Sequence, residues 1–327
     1  MQADSSSGLN RAARTLAAGE LVAFPTETVY GLGADATNEA AVAKIFALKG
    51  RPADHPVIVH LAPEAELEDW AAEIPPAARK LVAAYWPGPL TIILAKTARV
   101  PAIVTGGQDT VGLRCPSHPV AQELLREFAR IGSGVIAAPS ANRFGHVSPT
   151  SARHVRDEFG PGLPVIDGGA CTVGIESTIV DLSRGTPYLL RPGAITREML
   201  AAVLGAAPRE RDELAPRASG TLAAHYAPAT PLVLLDSGAL DAALADQGRS
   251  AVLARRAAPV GAGVASWIVA PREPEPYAHD LYANLRALDA AGAERILVEA
   301  PPGDAAWEAV NDRLRRAQAG AGEGDET

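Results

Sequence analysis

Cysteine is nearly absent: Cys115 and Cys171 are the only two in 327 residues, and neither stands in a CxxC or Cys/His ligand spacing. Two thiols are too few to staple a secreted scaffold. No apolar run approaches the roughly 20 residues of a membrane span, and the start MQADSSSGLN lacks the basic residues and apolar stretch of a signal peptide, so a cytoplasmic chain without membrane attachment is expected. Positive charge is also short, with 30 Lys and Arg against 38 Asp and Glu, a net of −8. Most of that deficit lies late: residues 1–200 hold 18 basic and 20 acidic side chains, residues 201–327 hold 12 and 18. A protein that grips bare nucleic acid does so by neutralising phosphates, so strong direct nucleic-acid binding is not expected, although a local basic pocket is still allowed. There is no P-loop pattern and no HExxH, and Gly31 with Gly33 makes only half of a dinucleotide-binding GxGxxG.

What is present is an ordinary hydrophobic content, 47%, in a length that suggests about two domains at roughly 150 residues each. From Leu9 to about Ala201, short β-type runs alternate with helical periods, which predicts an α/β domain. The strand-like runs are Leu21–Phe24, Val57–Leu61, Leu90–Ala95, Thr110–Leu113, Val135–Ala138, Ser177–Leu182 and Tyr188–Leu190. Thr37 is the N-cap expected for a helix over Ala40–Leu48. Residues 204–231 break the pattern with Pro208, Pro216, Pro228 and Pro231 and read as a linker. A smaller α/β domain is predicted over 232–327, ending in the frayed tail AGAGEGDET.

Chemistry is sought where α/β proteins place ligands, in polar loops at strand ends. In PTETVYGLG (Pro25–Gly33), Thr26 and Thr28 offer hydroxyls, and Gly31 and Gly33 suggest a backbone that approaches a small ligand closely; a strand-end turn with Thr–backbone bonds accounts for the segment equally well. In LKGRPADHPVIVH (Leu48–His60), Gly50 is the expected helix C-cap, so Lys49 and Arg51 fall at a helix end, as a phosphate clamp or as cations answering the helix dipole. His60 in an apolar strand reads first as a core histidine. Arg114, ending a strand before Pro116, suits a carboxylate ligand or a structural ion pair. APSANRFGHVSPT brings Ser140, Asn142 and Ser148 to a predicted helix start at Ser148–Thr150, an arrangement suited to phosphate. Ser177 opens a strand and Arg191 closes one. Cations and hydroxyls without a recognisable nucleophile–base pair point to phosphoryl or nucleotidyl transfer, which needs positioning and charge stabilisation rather than a triad.

Taken in order, PTETVYGLG, KGRP with HP and VH, the GLR strand, APSAN with SPT, GIESTIVDL and LLRPG resemble the threonylcarbamoyl-AMP synthase family with its YrdC-like domain. HYAP (His225–Pro228), LYANLRALD and VNDRL resemble the long form, which adds a Sua-type domain. The resemblance implies a YrdC-like twisted open sheet with a large concave cavity over residues 1–203, a linker at 204–231 that closes over it, and a smaller Rossmann-like domain. It implies condensation of L-threonine, bicarbonate and ATP, with magnesium, into L-threonylcarbamoyl-AMP and pyrophosphate, the product passing to a separate complex that modifies tRNA. Thr28, His60, Arg114, Ser177 and the main chain at Ala138 would bind threonine. Arg51, His55, the main chain at Thr110, Ser140, Asn142, Ser148, Arg191 and Tyr226 would bind ATP, with Lys49 and Arg51 acting on the phosphates. His55 stands where the family commonly has Asn, so pH dependence near ~6.5 is an expectation. Tyr226 offers a ring to cover the nucleotide, or else is a linker tyrosine packed on the domain surface. A YrdC-like module that binds double-stranded RNA without turnover is the competing expectation.

Overall fold

The structure, a computed structural model, describes residues 2–245 and 248–321. The end of the expected tail, 322–327, lies outside the described residues. Contacts divide the chain into two units, Met1–Phe144 with Pro149–Thr221, and Gly145–Ser148 with Leu222–Thr327. The stretch read as a linker is therefore shared between them at 221/222.

The first unit is built on nine strands: β1 (Val22–Phe24), β2 (Gly31–Asp35), β3 (Val59–His60), β4 (Leu90–Ala95), β5 (Thr110–Arg114), β6 (Ile136–Ala137), β7 (Thr178–Asp181), β8 (Tyr188–Arg191) and β9 (Arg209–Glu210). They form one mixed sheet in the order β1-β2-β6-β3-β5-β4-β7-β8-β9. The pairs β3/β5, β4/β7 and β8/β9 are parallel and the others antiparallel. Strand alternation decides which side chains reach the site, because successive residues point to opposite faces. In β4, Leu90, Ile92 and Leu94 join the main core with Val59, Leu81 and Leu113. Ile93 turns the other way, packing with Ile58, Ile179 and Leu190, and Thr91 shares that face.

Three local expectations are corrected. Gly31 and Gly33 lie in β2 rather than in a ligand loop, and a Cβ at Gly33 would stand 2.8 Å from Ile136 Cγ2 and 2.9 Å from Phe24 Cε1. Small residues are needed there because the β1 and β6 side chains press against the strand. The helix Glu39–Lys49 is capped by Asn38, whose side chain accepts from the Ala41 N–H, while Thr37 bonds Asp35 instead. Its other end closes as expected, with Gly50 left-handed at φ 63°. The helix near Thr150 starts at Ala152 with Ser151 as its cap, so Ser148 is not at its N-terminus.

The second unit has four strands, β10 (Leu232–Leu235), β11 (Ser250–Ala254), β12 (Ser266–Val269) and β13 (Arg295–Glu299), in the order β10-β13-β11-β12 and all parallel. A parallel sheet needs cover on both faces; the helices Ser237–Leu244, Pro274–Asp289 and Glu308–Gly320 belong to this unit. The Asp289 carboxylate anchors the entry to β10 by accepting from the N–H groups of Ala229 and Thr230 at 3.0 and 2.8 Å. No helix among the described residues is long and apolar enough to cross a membrane.

Candidate functional site

The register of the first sheet sets His60 opposite Arg114, across the parallel β3/β5 pair. His60 is buried edge-on to Phe24, with ring centroids 6.0 Å apart. Burial, reinforced by the Arg114 charge, pushes its pKa down to about 3, so the ring is neutral. Arg114 is buried as well and forms an ion pair with Glu27 at 2.7 Å. Thr28 is fully buried, and its hydroxyl meets that of Thr26 at 2.9 Å, while Thr26 Oγ1 donates to the Val29 carbonyl at 2.6 Å. The Ala138 N–H donates to the Ile58 carbonyl at 2.9 Å, which ties this main chain to the residue just before β3.

A second group gathers the cations. Lys49, the last residue of its helix, sends its ammonium to the carbonyls of Ser140, at 2.7 Å, and Asn142. It therefore holds the 140–142 loop rather than its own helix end. Burial and then the nearby Arg51 charge lower the Lys49 pKa well below its usual value. Arg51 donates to the Pro56 carbonyl at 2.9 Å and to Ser219 Oγ at 3.4 Å, with its guanidinium 5.6 Å from the Phe144 ring centroid. His55 packs against the same ring at 5.4 Å. Its pKa is lowered by burial and then by Arg51, which moves the expected titration below 6.5. Arg191 ends β8 and donates to the Ser177 carbonyl at 3.0 Å, to Ser177 Oγ at 3.1 Å and to the Ser219 carbonyl at 2.8 Å. Ser177 Oγ also meets Thr91 Oγ1 at 2.8 Å.

A small cleft open to solvent is lined by Ile58, Thr91, Thr110 and Ile179 and by Arg217, Ala218 and Ser219, the last of which accepts from both Arg51 and Arg191. The 217–219 segment is fastened there by a two-way bond, the Arg217 N–H donating to Gln108 Oε1 at 2.7 Å and Gln108 Nε2 to the Arg217 carbonyl at 3.2 Å. Ser148 and Tyr226 belong to the second unit. Tyr226 has a left-handed φ of 62° and is 1% exposed, its ring 5.6 Å from that of Tyr282 and 5.2 Å from the Arg313 guanidinium. In this arrangement the tyrosine packs within its own unit.

Cys115 and Cys171 are buried, and burial followed by the Glu27 charge pushes both thiols up to about 12, so neither provides a thiolate. Among the described residues no group of three or more His, Cys, Asp or Glu is placed to hold a metal ion. A site with buried cations, hydroxyls and an open cleft suits an anionic, phosphate-bearing substrate.

Residues 14–193 match the Sua5_yciO_yrdC family model, described as telomere recombination, and residues 195–319 match the model for the threonylcarbamoyl-AMP synthase C-terminal domain. The chain is 40% identical to the threonylcarbamoyl-AMP synthase of Pyrococcus abyssi, over 91% of this chain and 90% of that one. The chain belongs to the threonylcarbamoyl-AMP synthase family. The Bacillus subtilis threonylcarbamoyl-AMP synthase is 38% identical over 95% of this chain and 92% of its own. The crystal structure of P. abyssi Sua5 complexed with L-threonine superposes with a TM-score of 0.88 at 38% identity, covering 95% of this chain and 94% of that one. The expected long-form threonylcarbamoyl-AMP synthase architecture, a YrdC-like unit plus a smaller α/β unit, is therefore present.

Three residues of this geometry went unread in the sequence. Glu27 is the single acid in the Pro25–Gly33 segment, and Thr91 is the single polar residue of an apolar strand; both are signals that were available. Ser219, inside a proline-broken stretch, carries no such signal.

Proposed function

We propose that this chain is an L-threonylcarbamoyladenylate synthase acting in the cytoplasm, using L-threonine, bicarbonate and ATP, with catalysis in the first unit. The observation that carries the reading is that two buried cations, Arg51 and Arg191, both donate to Ser219 on the wall of one cleft, in a chain that belongs to this family. Bicarbonate loses water to give carbon dioxide, the threonine amine adds to that carbon and gives up a proton to form N-carboxy-threonine, and a carbamate oxygen attacks the α-phosphorus of ATP as pyrophosphate leaves. The protein needs no nucleophile of its own for this, only alignment and charge.

Arg114 takes the threonine carboxylate, and the hydroxyls of Thr28 and Ser177, neutral His60 and the main chain at Ala138 surround the rest. A neutral imidazole here leaves the amine uncontested by a second cation. Arg51 and Arg191 face the phosphates, with His55, Thr110, Ser140 and Asn142 along the nucleotide. An arriving triphosphate favours the charged ammonium of Lys49, reversing the effect of its burial. Ser148 and Tyr226 enter the proposal on their motifs alone. Magnesium would arrive with the triphosphate and supply further charge neutralisation; the ion commonly keeps water and phosphate oxygens as ligands, so no side chain is assigned to it. The product passes to a separate complex that transfers the threonylcarbamoyl group to tRNA.

The test is pyrophosphate release by the purified chain with ATP, magnesium and bicarbonate, comparing L-threonine, L-serine and no amino acid. Threonine-dependent release supports the reading. A folded sample that binds ATP but releases nothing in all three overturns it and brings the RNA-binding alternative forward.

A further inference from the structure

Glu27 stands between Thr26 and Thr28, and no motif assigns it a role. Its carboxylate and the Arg114 guanidinium are each about 5% exposed. Oε1 accepts from Arg114 Nη2 at 2.7 Å, and Oε2 accepts from the Ser117 N–H at 3.1 Å. The Glu27 carbonyl is itself fixed by the Val173 N–H at 2.7 Å, so the carboxylate projects from a held backbone. Arg114 Nε leans toward the Gly88 carbonyl at 3.4 Å, and Nη1 has no protein hydrogen bond among the described residues.

A buried ion pair is weak grounds for stability, since well-packed apolar residues of similar volume often serve as well. What such a pair does provide is orientation: a planar guanidinium tied along one edge presents its other donors in a fixed plane. We propose that Glu27 is the positioning residue for Arg114, holding the guanidinium so that Nη1 is offered to the α-carboxylate of the amino-acid substrate. Glu27 acts through Arg114 and touches no substrate. This inference rests on the function proposed above.

The competing physical effect has the opposite sign. As an anion beside Arg114, Glu27 also repels an incoming carboxylate, so removing its charge without losing orientation would tighten threonine binding. Glu27→Gln separates the two effects. Both partners of the carboxylate are donors, and an amide has one accepting oxygen, so it satisfies Arg114 or Ser117 but not both.

Calorimetric titration of the full chain with L-threonine, and separately with ATP, reads the outcome without requiring turnover. Glu27→Gln is expected to weaken threonine binding about tenfold or more, the loss typical of one misaligned charged hydrogen bond, while ATP affinity stays within about twofold. Glu27→Asp, which keeps the charge, is expected to recover part of the loss. Unchanged or tighter threonine binding by folded Glu27→Gln overturns the inference, as does an equal loss of ATP affinity. Should Glu27→Gln not fold, Glu27→Asp decides alone: weaker threonine with unchanged ATP supports the inference, and unchanged threonine overturns it. A wild-type chain that binds threonine but releases no pyrophosphate overturns the proposed function alone; one that binds no threonine overturns both.

Discussion

In the first unit Lys49 donates to the carbonyls of Ser140 and Asn142, and Arg191 to those of Ser177 and Ser219. In the second, Arg313 and Arg316 close on one carboxylate, that of Asp312, at 2.7 and 2.9 Å. A carbonyl satisfies a donor without cancelling its charge, whereas a carboxylate does both. The first arrangement leaves a field that an anion can enter; the second is closed on itself and serves packing, with Arg313 lying over the Tyr226 ring. Glu27 with Arg114 in the first unit also joins an arginine to a buried carboxylate, but there, among the described residues, only Nη2 and Nε are engaged.

This contrast can be broken by substitution. Arg313→Ala leaves the buried Asp312 with one partner fewer, and a loss of about 3–5 kcal/mol in urea unfolding is expected for a broken buried pair. A loss under about 1 kcal/mol would show that Arg316 alone suffices. Arg51→Ala should reduce threonine-dependent pyrophosphate release about 100-fold, the scale of one lost donor to developing charge. Near-normal release would remove Arg51 from the chemistry.

Two smaller effects sharpen the comparison within the first unit. Gly33→Ala drives a Cβ against Ile136 and Phe24, so a stability loss of about 1–3 kcal/mol is expected with the affinities for threonine and ATP unchanged in the folded protein. Selective loss of ATP binding would restore the reading of that glycine as part of a ligand loop. For His60 the folded pKa, about 3, lies below the ordinary 6.5. Protons then bind preferentially to the unfolded chain, so this contribution is complete above about 6.5 and is lost as pH falls toward 3, at up to about 1.4 kcal/mol per pH unit. Unfolding measured at pH 7 and 5 should therefore fall more steeply for the wild type than for His60→Asn; equal slopes would mean that the imidazole is solvated.

The long runs Leu90–Ala95 and Tyr188–Leu190 announce their strands because apolar residues dominate them, and Gly50 announces a helix end because it tolerates a left-handed φ. β2 escaped because GLG has the composition of a turn, and only the neighbours pressing on it require glycine. β9, two exposed residues among prolines, offers no pattern to read. Lys49, Arg51, Arg114 and Arg191 were legible as candidates, since cations in apolar, Gly/Pro-rich segments are conspicuous in a sequence. Their partners were not.

Sequence alone determined the alternation of elements, the α/β character of both halves and the family, because hydrophobic periodicity and ordered motifs are local properties of the chain. Tertiary structure decided that Lys49 holds the 140–142 loop, that Ser219 accepts from Arg51 and Arg191, and that Arg114 faces Glu27 across 87 positions of chain. Those pairings follow from sheet order and strand register, which bring distant residues within hydrogen-bond reach and are specified by the packing of the whole unit rather than by any one segment.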